Sequence, residues 1–241
     1  VLNRLGLSYR SLGRTADAIR CHNDGLEICT DITRAPERSD EERRAGERLA
    51  VKHLGNLGLC VRGRDLKSAI DFHKQALAIH VRLHNEAGQA RQLGNLGLCH
   101  RLLGETERAI VYHKGSLELH ERLARAKLGE RARQRELAGR AAQLNNLGNC
   151  HFELGQIAET FDFFADALEI YKQLNYPEAV ADQLNALARS YLKTGEIVRA
   201  KRLCEEALAL ERSLGRRGGE ARSLTNLGRC HHASGELDHA I

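Results

Sequence analysis

Apolar residues recur every three to four positions along most of the chain, in stripes that come in pairs. Each pair flanks a glycine, which predicts two amphipathic helices joined by a tight turn. A Leu-Gly pair marks the first helix of each unit. It appears as Leu5-Gly6, Leu57-Gly58, Leu96-Gly97, Leu147-Gly148, Leu187-Ala188 and Leu227-Gly228. Eight residues after the leucine stands a second glycine in five of the six copies: Gly13, Gly104, Gly155, Gly195 and Gly235. It reads as the stop of the first helix, where a left-handed backbone suits glycine. Five residues further come Ala18, Ala109, Thr160, Ala200 and Ala240, with Ala69 in a copy shortened by one residue. Phrases such as "GLEI", "ALAI", "SLEL" and "ALEI" then carry the second helix.

Successive Leu-Gly pairs lie 52, 39, 51, 40 and 40 residues apart. The period is about 40, the length of one stacking unit of a repeat protein. The 12 and 11 extra residues fall between a second helix and the next first helix. About eleven residues make three helical turns, so a helix can lengthen without rotating its buried stripe. In the first insertion Pro36 breaks the chain, and Ser39 with Glu42 makes a capping-box signature. In the second, Gly129 divides the extra length between two helices. Ser39 to Leu57 and Gly129 to Leu147 are both 18 residues, so the second and fourth first helices should protrude alike.

Composition agrees with a helical chain. The 241 residues include two prolines, no Trp and 29% charged residues. No apolar run approaches the roughly 18 residues of a membrane span. Seven cysteines with no Cys-x-x-Cys pair read as reduced thiols of a cytoplasmic protein. A formal net charge of +5 is too small by itself to imply nucleic acid.

The phrases "HLGNLGLC" at 53–60 and "QLGNLGLC" at 92–99, with their four weaker copies, resemble tetratricopeptide repeats (TPR). The variety is the roughly 40-residue one with Asn-Leu-Gly in the first helix, similar to the repeats of spindle-orientation adaptors, kinesin light chains and bacterial TPR regulatory proteins. The resemblance covers the whole chain. It implies an all-α fold, an α-α superhelix (TPR solenoid) of about five and a half helix-turn-helix repeats. A single solenoid over 1–241 is expected, with repeats near 1–34, 39–85, 86–128, 129–175, 176–215 and a partial one at 216–241. The chain begins inside one repeat and stops inside another. It is therefore expected to be a piece of a longer array whose uncapped ends could self-associate.

Chemical readings of the repeated phrase fare poorly. A phosphate loop needs glycines at a strand-to-helix junction, whereas these lie inside helices. Cys60, Cys99, Cys150 and Cys230 recur at one repeat position. Neighbouring helices pack 8–10 Å apart, roughly, which is too far for a disulfide or a shared zinc ion. His22, His73 and His113 take a second-helix position, and His100, His151 and His231 a first-helix one, where the family often has Tyr. His80 and His84 are spaced to chelate a metal from one helical stripe with His73, but no carboxylate lies between them in "HVRLH". No catalytic, cofactor or metal residue is expected, and no enzyme activity.

In the family the first helix of each repeat lines a groove. Counted from the Asn before Leu-Gly, the groove positions are minus four, zero, plus three and plus six. They select Lys52, Arg91 and Arg222; Asn56, Asn95, Asn146 and Asn226; Leu59, Leu98, Asn149, Arg189 and Arg229; and Arg101. Asn both donates to and accepts from a peptide backbone, and Arg and Lys favour carboxylates. The expected function is a protein-interaction scaffold that holds an extended or helical, acidic segment in a basic, Asn-lined groove. Gly55 and Gly94 stand where chaperone-binding TPRs have Lys, which argues against chaperone tails as partners. One alternative is the sensor arm of a multidomain bacterial NTPase, transcription regulator or protease. A weaker one is nucleic-acid binding through the arginine-rich stretch 122–140, which has no aromatic side chain for base stacking. No membrane partner is expected.

Overall fold

The computed structural model describes residues 1–126 and 129–235. Eleven helices and no strands occur among them. In unit 1, Val1–Leu123, the helices are α1 (Leu2–Ser11), α2 (Thr15–Arg34), α3 (Asp40–Val61), α4 (Leu66–Arg82), α5 (Glu86–Leu102) and α6 (Thr106–Arg125). In unit 2, Ala124–Ile241, they are α7 (Glu130–Glu153), α8 (Ile157–Gln173), α9 (Pro177–Thr194), α10 (Ile197–Ser213) and α11 (Arg217–Ser234). Odd-numbered helices begin each repeat and even-numbered ones complete it. Successive helices pack on each other from α1 to α5 and again from α7 to α11.

The turns follow from the glycines. Gly13, Gly104, Gly155, Gly195 and Gly235 hold φ between 73 and 81°, the left-handed region that costs other residues a Cβ clash. At Gly104 the turn closes by its own N–H donating to the Arg101 carbonyl and that of Glu105 to the His100 carbonyl, both at 2.9 Å. Between repeats the left-handed role passes to His84 (φ 49°), Asn175 (φ 54°) and Gly215 (φ 66°). His84 therefore lies beyond α4, in the turn, and leaves the helical stripe that would have let it chelate a metal with His80. Among the described residues no group of three or more His, Cys, Asp or Glu is placed to hold a metal ion.

Each of the first five repeats closes on a matched small and large residue. A Cβ added at Gly6, Gly58 or Gly97 would stand 2.6 Å from the ring of His22, His73 or His113, and one at Gly148 would stand 2.5 Å from Phe164. All four rings are fully buried. In the fifth repeat the first helix carries Ala188 instead, and the facing residue on α10 shrinks to Cys204. A larger residue on the first helix is thus met by a smaller one on the second, as dense packing demands. The recurring cysteines fill gaps in these cores: Cys99 packs with Ala69, Ile70 and Leu96, and Cys230 with Ala188, Ala200 and Cys204. All seven thiols are free and buried.

The long repeats extend as the insertions predict. α3 has 22 residues and α7 has 24, against 17 for α5 and 18 for α9. Ser39 caps α3 in a full capping box with Glu42, and Gly129 is the N-cap of α7. Lys127 of the arginine-rich stretch lies outside the described residues; Arg131, Arg133 and Arg135 are exposed on α7, and Arg122 is tied to Glu86 at 2.8 Å. No described helix is long and apolar enough to cross a membrane.

Candidate functional site

Each unit contains a groove built on its first helices. The unit 1 groove has a volume of about 690 Å³ and is lined from α1, α3, α4 and α5 and the turn after α4. Lys52 and Asn56 of α3 and Arg91 and Asn95 of α5 stand at the same repeat positions, one helical turn apart, so each pair shares a face. Leu49, Val51, Leu59 and Leu83 supply apolar surface between them. Asn56 donates through Nδ2 to Oδ1 of Asn3 at 2.9 Å, linking the first two repeats. Below, His73 donates through Nδ1 to Oε1 of Gln92 at 2.9 Å, which fixes that amide at the groove wall. His80, at the C-terminal end of α4, forms part of the floor. Burial and then the Arg91 charge hold its imidazole below the usual histidine range, so it is neutral.

The unit 2 groove has a volume of about 520 Å³ and is lined from α7, α8, α9 and α11. Its wall is a carboxamide ladder. Gln183 Nε2 donates to Asn145 Oδ1 at 2.8 Å, Asn185 Nδ2 to Ser223 Oγ at 2.8 Å, and Asn226 Nδ2 to Asn185 Oδ1 at 3.1 Å. Arg189 reaches Asn149 Oδ1 at 3.2 Å and lies over the Phe152 ring at 5.1 Å. Arg222 pairs with Asp182 at 2.7 Å. Arg229 is exposed at the rim.

The sequence-derived positions minus four, zero and plus three thus reach the grooves. Lys52, Arg91, Asn56, Asn95 and Leu59 meet in unit 1; Arg222, Asn226, Asn149, Arg189 and Arg229 meet in unit 2. Asn146, Leu98 and Arg101 line neither groove. Two positions escaped sequence reasoning: minus one (Asn3, Asn145, Asn185) and minus three (Gln92, Gln183). Their signal is the recurrence of Gln at 92, 143 and 183 and of Asn at 3, 145 and 185. Asn56 and Asn226 also serve a second role, because both hydrogen-bond a neighbouring repeat.

Tetratricopeptide-repeat family models match residues 140–175 and 179–241, the stretches that form the second groove. Those stretches carry tetratricopeptide repeats. A relative among curated proteins, the Tonsoku-like protein of Drosophila melanogaster, is 25% identical over 170 residues. That match covers 69% of this chain, which spans only 11% of the fly protein. Among solved structures, BtubC (BKLC) from P. vanneervenii superposes with a TM-score of 0.74 at 18% identity, covering 92% of this chain and 85% of that one. A Rap protein complexed with competence and sporulation factor superposes with a TM-score of 0.72 at 14% identity, covering 99% of this chain and 60% of that one. These structural likenesses bear on the fold alone. The first helices here present a surface lined with carboxamides, guanidiniums and apolar side chains.

Proposed function

We propose that this TPR chain is a protein-interaction module that captures an acidic polypeptide segment, extended or helical, in a basic, Asn-lined first-helix groove. Capture is an equilibrium, with no bond made or broken. The observation that carries the reading is the paired groove of Lys52, Asn56, Arg91 and Asn95, in which two neighbouring repeats each offer a cation and an Asn carboxamide at the same positions. A carboxamide can serve either a peptide N–H or a carbonyl, and a guanidinium adds a charge-assisted bond to a carboxylate. Leu49 and Leu59 provide contact for apolar side chains in the same segment.

The test uses a fluorescently labelled peptide of glutamate and leucine, with a lysine and leucine peptide as the charge-inverted control. The protein should bind the first and not the second. Asn56→Ala with Asn95→Ala and Arg91→Glu should abolish that binding while helicity by circular dichroism is kept. Undiminished binding in the helical triple variant rules the groove out.

A further inference from the structure

The two grooves use the same positions but differ in how their charges are paired. In unit 1 the lining holds Arg48, Lys52 and Arg91 and no Asp or Glu. Arg48 and Lys52 lie four residues apart on one exposed face of α3, and Arg91 faces them from α5. Among the described residues none of the three forms an ion pair. Three carboxylates on the same helices are committed elsewhere: Glu47 to Arg82 at 2.6 Å, Glu86 to Arg122 at 2.8 Å and Glu42 to Arg38 at 2.7 Å; Asp40 and Glu41, in the first turn of α3, do not line the groove. The apolar Leu49 beside them is 45% exposed.

In unit 2 the corresponding charges close on one another. Asp182 takes the position of Lys52 and Arg91 and binds Arg222 at 2.7 Å. The residue near the C-terminal end of the second helix changes too. Eleven residues after Ala69, Thr160 and Ala200 stand His80, Tyr171 and Glu211. The fully buried Glu211 lies 3.3 Å from Arg216 and 3.9 Å from Arg222, and Arg216 in turn lies 3.7 Å from Asp182. Asp182 thus engages Arg222 at one end of this groove, with Glu211 and Arg216 close by. A neutral imidazole holds the equivalent place in unit 1.

We infer that selectivity for an acidic segment resides in unit 1 alone, with Arg48, Lys52 and Arg91 as its specificity-determining residues, while Asp182, already paired with Arg222, disfavours such a segment in unit 2. This inference rests on the groove reading proposed above. An incoming carboxylate in unit 1 meets cations with no internal competitor; at Arg222 in unit 2 it must displace Asp182 and approach that fixed anion.

The experiment compares two arginines of equal charge, both on first helices, with the same glutamate and leucine peptide. Arg91→Glu and Arg229→Glu alter net charge identically, so any difference between them reports location. Affinity for the peptide should fall about tenfold or more in Arg91→Glu and stay within about twofold in Arg229→Glu. Circular dichroism checks that both variants stay helical. Lys52→Glu supplies a second unit 1 reading should Arg91→Glu fail to fold. Equal losses, or a larger loss in Arg229→Glu, overturn the unit 1 assignment and leave the groove reading standing. Absence of binding by the unaltered protein overturns both.

Discussion

Gly97 offers a direct measure of how tightly one repeat closes. It sits inside α5, where glycine is a poor helix former. Alanine there should gain about 0.5–1 kcal/mol from propensity alone. Steric crowding opposes that gain and outweighs it. The added Cβ would stand 2.6, 2.7 and 2.7 Å from Cε1, Nδ1 and Nε2 of His113, face-on to a ring that is 0% exposed and has no solvent to swing into. Ordinary carbon contacts lie near 3.5–4.0 Å, so the helices must part by about 1 Å or the ring must leave its rotamer. Such overpacking costs about 1–3 kcal/mol. Gly115, on the facing helix α6, is the control: its added Cβ meets only Leu93 Cδ1, at 3.6 Å. Propensity cancels between the two variants, so Gly97→Ala should be less stable than Gly115→Ala by about 1–3 kcal/mol. Urea midpoints followed by far-UV circular dichroism measure the difference. The double variant Gly97→Ala with His113→Ala should lose less than the sum of its singles, since removing the ring relieves the clash. Equal midpoints for the two glycine variants would refute the close-packing argument.

Three further outcomes follow from buried polar groups. His22 and His53 face each other through Nδ1 atoms 3.2 Å apart, one donating and one accepting. Burial first, then His53 and Arg10, push His22 down to about 4, and burial pushes His53 down as well. The unfolded chain, with histidines near 6.5, binds more protons, so this stability is full above pH 6.5 and is lost as pH falls towards 4. By about pH 5.5 the loss should be on the order of 1 kcal/mol for His22, read as a falling urea midpoint; a flat profile contradicts it. Asn185→Ala strands the Ser223 hydroxyl and the Asn226 amide in the buried ladder and should cost about 1–3 kcal/mol, checked by thermal melting. The seven buried thiols should react slowly with an aromatic disulfide reagent in the native state and fully in guanidinium; Cys204, pushed up to about 12 chiefly by burial and then by Cys230, should be among the slowest, as mass mapping of early adducts would show.

Much of the fold was legible in local patterns. Gly104 announces a left-handed turn because few other residues tolerate φ near 79°. Ser39 and Glu42 announce a helix start because the box is closed within four residues. The lengthened α3 and α7 follow from the insertions alone. The site was legible by repeat position but not by partner. Lys52, Asn56, Arg91 and Asn95 could be assigned to one groove because the period places them on one face. That Asn56 already donates to Asn3, and Asn226 to Asn185, could not be read, because each bond spans two repeats. His84 shows a local signal failing: its spacing from His80 looks helical, yet α4 ends at Arg82 and His84 takes the turn.

By itself the sequence determined what repeats: two helices per unit, the glycine that stops the first, the small residue that admits the second, and the face that looks outward. These depend on interactions within about four residues or on a pattern copied six times. Only the tertiary structure decided what each copy does with its charge. Arg91 and Arg222 occupy the same repeat position, yet Arg91 stands in a groove without carboxylates while Arg222 is held by Asp182, 40 residues away. The physical reason is that an ion pair within a few ångströms outweighs position in the repeat, and distance across helices is set by packing rather than by sequence spacing.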